Sequence, residues 1–207
     1  MRVLVIASQK GGVGKTTIAG HLGVMAESKG AGPVALIDTD PQGSLSSWWN
    51  ERQAEAPVFA SVDIAHLAEH LKQLEKAGVK LAIIDTPPAV TDIIRKVLAV
   101  ADVVLIPTRP SPHDLRAVGS TVELVESAGK RMVFVINGAA QRAKITGEAA
   151  IALSQHGTVA PVTLYQRTDF AASMIDGRTA QEIDATSRSA AEVEKLWIYV
   201  STQLHKY

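Results

Sequence analysis

The sequence predicts an α/β fold, a mostly parallel twisted sheet with helices on both faces. Three observations carry this. Apolar runs at 3–7, 34–37, 81–84, 103–106 and 132–136 have strand length and no polar alternation, as strands covered on both faces require. Longer helical patterns at 16–29, 64–77 and 115–128 lie between them. Gly30, Gly78 and Gly129 follow these patterns just before the next strand begins, the usual residue after a helix end. Strand–helix alternation of this kind builds a parallel sheet with right-handed crossovers, and ligands of such sheets bind at the carboxyl ends of the strands.

Taken in order, the first strand runs straight into a glycine-rich stretch from Ser8 to Thr17 that opens a helix. Asp63 is placed to cap a helix whose Ile64, Leu67, Ala68, Leu71 and Leu74 share a stripe. Pro107, Pro110 and Pro112 stiffen what reads as a loop at 107–114. Beyond Gly157 the pattern weakens to a short strand at 159–164. The last segment, 189–205, is expected to be a helix with Val193, Trp197, Val200 and Leu204 facing the core. No repeat, low-complexity tract or linker divides the chain, so residues 1–207 are expected to form one domain.

Composition removes several functions. The 207 residues contain no cysteine, which excludes disulfides, thiolate zinc sites, cysteine nucleophiles and cysteine-held iron–sulfur clusters. The 21 basic and 21 acidic residues balance, which argues against a globally basic nucleic-acid binder but allows a local patch. The most apolar stretch, 97–107, is too short to span a bilayer, and the N-terminal apolar run stops at Ala7 without a cleavage site. A cytoplasmic location is expected.

The strand–loop–helix context of Lys10-Gly11-Gly12-Val13-Gly14-Lys15-Thr16-Thr17 is that of a phosphate cradle. Glycines let successive N–H groups converge on an anion, and the helix N-terminus adds its dipole. Lys15 is suited to the β- and γ-phosphates and the Thr16 hydroxyl to Mg²⁺. The strict pattern would put glycine where Gln9 stands, and a second lysine, Lys10, precedes Gly11.

This segment resembles the deviant Walker A motif of the ParA/MinD ATPases. Ile37-Asp38-Thr39-Asp40-Pro41-Gln42-Gly43-Ser44 resembles their second motif and Ile83-Ile84-Asp85-Thr86-Pro87-Pro88 their Walker B. Within the superfamily the short chain, Asp40-Pro41-Gln42 and Pro110-Ser111-Pro112-His113-Asp114 are most similar to the small, ParF-like plasmid-partition proteins.

The resemblance implies a nucleotide site of Lys10, Gly11, Gly12, Val13, Gly14, Lys15, Thr16, Thr17 and Asn137, the last near the adenine. It implies Mg²⁺ held by Thr16, Asp38 and Asp85, and catalysis by Lys10, Lys15 and Asp40, with Asp40 orienting the attacking water. Asp38 has a second reading as the cap of the following helix. Lys10 is implied to reach the ATP of a second subunit, which makes homodimerisation ATP-dependent. The implied partners are the homodimer, non-specific DNA, and a ParB-like centromere-binding protein or cargo adaptor that stimulates hydrolysis. Nucleoid association follows from the DNA. A MinD-like membrane ATPase and a small-molecule kinase of the same superfamily are the alternatives.

Other signals are weaker. His66-Leu67-Ala68-Glu69-His70 spells a zinc-peptidase pattern, but its histidines lie opposite the apolar stripe and face solvent. Trp197, Tyr199 and Tyr207 suit a membrane interface, yet the final helix carries too few basic residues for one. Arg142, Lys144, Arg167, Arg178, Arg188 and Lys195 are candidate DNA-phosphate contacts, Arg167 being also a candidate organiser of the nucleotide pocket.

Overall fold

The computed structural model describes residues 1–88 and 92–206, so Tyr207 lies outside the described residues. The chain runs β1 (Arg2–Ile6), α1 (Lys15–Ser28), β2 (Val34–Asp38), α2 (Ser44–Asn50), β3 (Val58–Phe59), a 3-10 turn (Ile64–His66), α3 (Leu67–Lys76), β4 (Leu81–Asp85) and α4 (Asp92–Val100). It continues through β5 (Val103–Thr108), α5 (Pro112–Ser127), β6 (Arg131–Ala139), α6 (Lys144–Ser154), β7 (Thr158–Tyr165), α7 (Thr168–Ser173), α8 (Ala180–Ile183) and α9 (Arg188–Leu204).

The strands form one sheet in the order β3-β2-β4-β1-β5-β6-β7, and every neighbouring pair is parallel. The chain fills one side of β1 first and then crosses to β5 on the other. A crevice therefore opens where β1 ends, flanked by the ends of β4 and β5.

Alternate residues of the strands feed two cores. Leu4, Ile6, Leu36, Ile83 and Leu105 point into the layer formed by α1, α2 and α9, through Ile18, Leu22, Trp48, Val193 and Trp197. Val3, Val5, Ile37, Ile84 and Ile106 point into the layer formed by α3 to α6, through Leu67, Ile94, Val97, Val118 and Leu153. Each fully buried aliphatic side chain contributes about 1.5–3 kcal/mol by leaving water, which explains why these strands carry no polar alternation.

Several local expectations change. The stretch 107–114 is mostly regular: Pro107 and Thr108 complete β5, Ser111 caps α5 by accepting from the Asp114 N–H (3.1 Å), and Pro112 occupies the first turn. Proline fits there because the first-turn N–H groups have no partner within the helix. Asp63 caps, as expected, but its carboxylate accepts from the Ala65 N–H at the 3-10 turn preceding α3. His66 and His70 both spend a ring nitrogen on Asp63, and no cluster of metal-binding side chains occurs among the described residues. In α9, Val193, Trp197, Val200 and Leu204 are all buried in the core, so the stripe is not available to a membrane. No helix of the described residues is long and apolar enough to cross one.

Candidate functional site

The loop between β1 and α1 is held from three directions. Gln9, standing where the strict motif has glycine, donates its backbone N–H to the Thr121 hydroxyl oxygen (3.1 Å) and its side-chain amide to the Ser120 carbonyl (2.9 Å). That long side chain anchors the loop to α5, a job glycine lacks the atoms to do. Asn137, within β6, donates its amide to the Val13 carbonyl at 2.6 Å. Gly14 caps α1 in the left-handed region (φ 93°), and a Cβ there would overlap the Asn137 amide. Val13 is buried and pins the loop from below.

At the end of β4, Asp85 is 1% exposed. Its Oδ2 accepts from the Thr16 hydroxyl at 2.6 Å, while Oδ1 has no hydrogen-bond partner among the described residues. Burial pushes its pKa up to about 7, opposed by the Thr16 hydrogen bond. Lys15 is buried as well. Burial holds its pKa below the ordinary lysine value against the attraction of Asp85 and Asp40. A buried carboxylate with one oxygen unmatched, beside a hydroxyl, is the donor set a hard divalent cation takes, so Thr16 and Asp85 fit Mg²⁺.

Asp38 makes the contacts at the start of α2 that its second reading requires. Its Oδ2 accepts from the Leu45 and Ser46 N–H groups (2.9 and 3.0 Å) at the start of α2, and Oδ1 accepts from the Asp40 N–H (3.0 Å). Both oxygens are thus already bonded to backbone. Asp40 lies past the strand end, half-buried at the cavity wall.

The cavity above these residues has a volume of about 940 Å³. Gly11, Gly12, Gly14, Lys15, Thr16, Thr17, Asp40 and Asn137 line it as expected. Lys10, Val13, Asp38 and Asp85 do not, and Lys10 stands exposed at the lip. The rest of the lining holds residues that sequence reasoning missed. Trp48, Phe170 and Met174 make part of it apolar, and His21 and Arg109 add polar groups.

His21, on α1, is buried. Its Nδ1–H donates to the Thr17 carbonyl (2.8 Å), and its Nε2 accepts from the Ala180 N–H (3.1 Å). Arg167 binds Glu192 through Nε and Nη2 (3.1 and 2.5 Å), and the other Glu192 oxygen accepts from the Tyr165 N–H. Arg167 thus lines the cavity and ties β7 to α9, in keeping with its reading as an organiser of the pocket. Arg178 is paired with Asp176, whereas Arg142, Lys144, Arg188 and Lys195 are exposed.

Comparison with known proteins agrees with this geometry. The sequence profile of the CobQ/CobB/MinD/ParA nucleotide binding domain matches residues 4–194. The chain is 32% identical over 200 residues to the maintenance of carboxysome distribution protein A of Halothiobacillus neapolitanus, covering 91% of each. It superimposes on an ATP complex of a variant McdA from Cyanothece with TM-score 0.81 at 21% identity, over 99% of this chain and 96% of that one. It superimposes on Mg-ADP-bound MinD of Pyrococcus horikoshii with TM-score 0.79 at 18% identity, over 100% and 99%. A phosphate loop at the switch point of a parallel sheet, with motif residues in family order along most of the chain, leads to one assignment: the protein belongs to the CobQ/CobB/MinD/ParA nucleotide-binding family.

Proposed function

We propose that this protein is a ParA-type positioning ATPase, in which ATP with Mg²⁺ closes a homodimer and hydrolysis reopens it. The observation that carries the reading is the division of the two loop lysines. Lys15 is buried and faces the cavity, while Lys10 is exposed outside it. One cation serves the chain's own nucleotide and the other is left to reach a second molecule's, in the manner of a charge supplied in trans.

Each residue then has a task. Backbone N–H groups from Gly11 to Thr17 and the N-terminus of α1 bind the phosphates, and Lys15 neutralises them. Thr16 and Asp85 would hold Mg²⁺, which would supply charge neutralisation to the phosphates when bound. Asp40 positions the water for attack on the γ-phosphate, and Lys10 of the second subunit offsets charge in the transition state. Asp38 holds the loop that carries Asp40 by capping α2. Asn137 keeps the loop in place and has its carbonyl oxygen for the adenine amine.

The output is non-specific DNA binding by the dimer through exposed arginines and lysines such as Arg142, Lys144, Arg188 and Lys195, in the cytoplasm at the nucleoid. A ParB-like centromere-binding protein or cargo adaptor stimulates hydrolysis and releases the dimer. Similarity to a carboxysome distribution protein over 91% of both chains supports a cargo class wider than plasmids, including large protein assemblies. The test is retention on non-specific DNA with ATP, ADP or no nucleotide across a salt series. ATP-dependent, salt-sensitive retention is expected; equal retention in all three states would remove the switch.

A further inference from the structure

Arg109 follows the end of β5 and lies against the phosphate loop. A Cβ at Gly138 would stand 3.7 Å from Arg109 Cγ and Nε, and one at Gly12 would stand 4.0 Å from Nη2. The stem therefore runs along the end of β6, and the guanidinium reaches the loop apex. The side chain lines the cavity, the residue is exposed, and no described carboxylate is within ion-pairing distance of it.

Strand order gives this position its meaning. β4 flanks β1 on one side and carries Asp85, with Asp38 and Asp40 beyond it at the end of β2; β5 flanks β1 on the other and carries Arg109. The crevice thus has an acidic flank and a basic flank with the loop between them. A magnesium polyphosphate divides the same way, with metal on one side and unshared anionic oxygens on the other. A guanidinium offers paired, planar donors suited to phosphoryl oxygens.

We propose that Arg109 is a phosphate ligand of the nucleotide held in its own chain, closing the cradle from the β5 flank. The inference rests on the reading of the cavity as the ATP site. It adds a cation that the loop motif does not include, placed by the neighbouring strand.

Calorimetric titration with MgATP and MgADP tests it on the full chain, at low and high salt. The proteins compared are wild type, Arg109→Ala, Arg109→Lys, and Lys72→Ala as a distant exposed control. Loss of a charge-assisted contact weakens binding by about tenfold or more. The alanine variant is expected to bind both nucleotides about tenfold more weakly and with a shallower salt dependence, the lysine variant to recover part, and the control to match wild type. Because the Arg109 guanidinium has no ion-pair partner among the described residues, the nucleotide-free melting temperature should stay at the wild-type value. Wild-type affinity and salt dependence in Arg109→Ala would overturn the assignment. A loss confined to ATP and accompanied by failure to dimerise would also overturn it, because the contact would then be to the other subunit's nucleotide. If wild-type protein bound neither nucleotide, the ATP-site reading would fall and this inference with it.

Discussion

Asp40 and Lys15 share the cavity but have separable jobs, so their substitutions should fail differently. Lys15→Gln removes the buried cation that faces the cavity, and nucleotide affinity should fall by at least about tenfold in a direct binding assay. Asp40→Ala should leave binding intact and slow hydrolysis by about a hundredfold or more, accumulating an ATP-bound dimer. Wild-type hydrolysis in that variant would reassign the water-positioning role. Asn137→Ala deletes the 2.6 Å bond to the Val13 carbonyl. It should cost about 1 kcal/mol of stability in urea denaturation, and nucleotide affinity should drop as the loop loosens.

At the scale of elements, long-range clamps hold α1 and α2 against the short helices after β7. Burial holds the His21 pKa down at about 4, against an ordinary 6.5. The neutral ring bridges α1 to α8, so folding opposes its protonation. Below pH 6.5 the unfolded chain takes up the proton first, so this contribution is complete above pH 6.5 and is lost as pH falls toward 4, about 3 kcal/mol in all. Urea denaturation between pH 7.5 and 4.5 should show the loss in wild type and a smaller one in His21→Gln; equal pH dependence would discount the bridge. On α2's far end, the Arg52 side chain, 2% exposed, donates to the Gly177 carbonyl and both Glu182 oxygens and lies over the Trp48 ring. Gly177 has φ 74°, and a Cβ there would overlap the Arg52 backbone. Arg52→Ala leaves Glu182 bonded to Thr179 alone and loses the packing over Trp48, and should destabilise by about 1–2 kcal/mol, read as a lowered melting temperature.

These clamps also mark where sequence reading stops. The phosphate loop was legible because its donors are contiguous and its neighbours are unbroken apolar strands. The strand ends bearing Asp38 and Asp85 were legible for the same reason. Gln9 looked like a departure from the motif, since its partners Ser120 and Thr121 lie over a hundred residues away. The bounds of α2 went unread because Ser44–Asn50 is short and weakly patterned, and Asp38, which bonds its first turn, sits seven residues before Leu45. Phe170 and Met174 of the cavity lining come from the region after β7, where periodicity fails and position is set by packing against the core.

For the whole molecule, charge balance becomes a condition of control. A chain with 21 basic and 21 acidic residues, several of its arginines tied in ion pairs, has few phosphate contacts to offer alone. Pairing two copies doubles those contacts, and salt sensitivity rises with their number. Under the proposed switch, nucleotide control of DNA binding would reduce to nucleotide control of pairing, with Lys10 as the residue proposed to set it. The direct measurement is the mass in solution, by light scattering, of wild type and Lys10→Ala with MgATP, MgADP and no nucleotide. The account predicts twice the 22.0 kDa chain mass for wild type with MgATP and single-chain mass in every other case. An unchanged wild-type mass across all three conditions, or a Lys10→Ala dimer formed as readily as wild type, would contradict it.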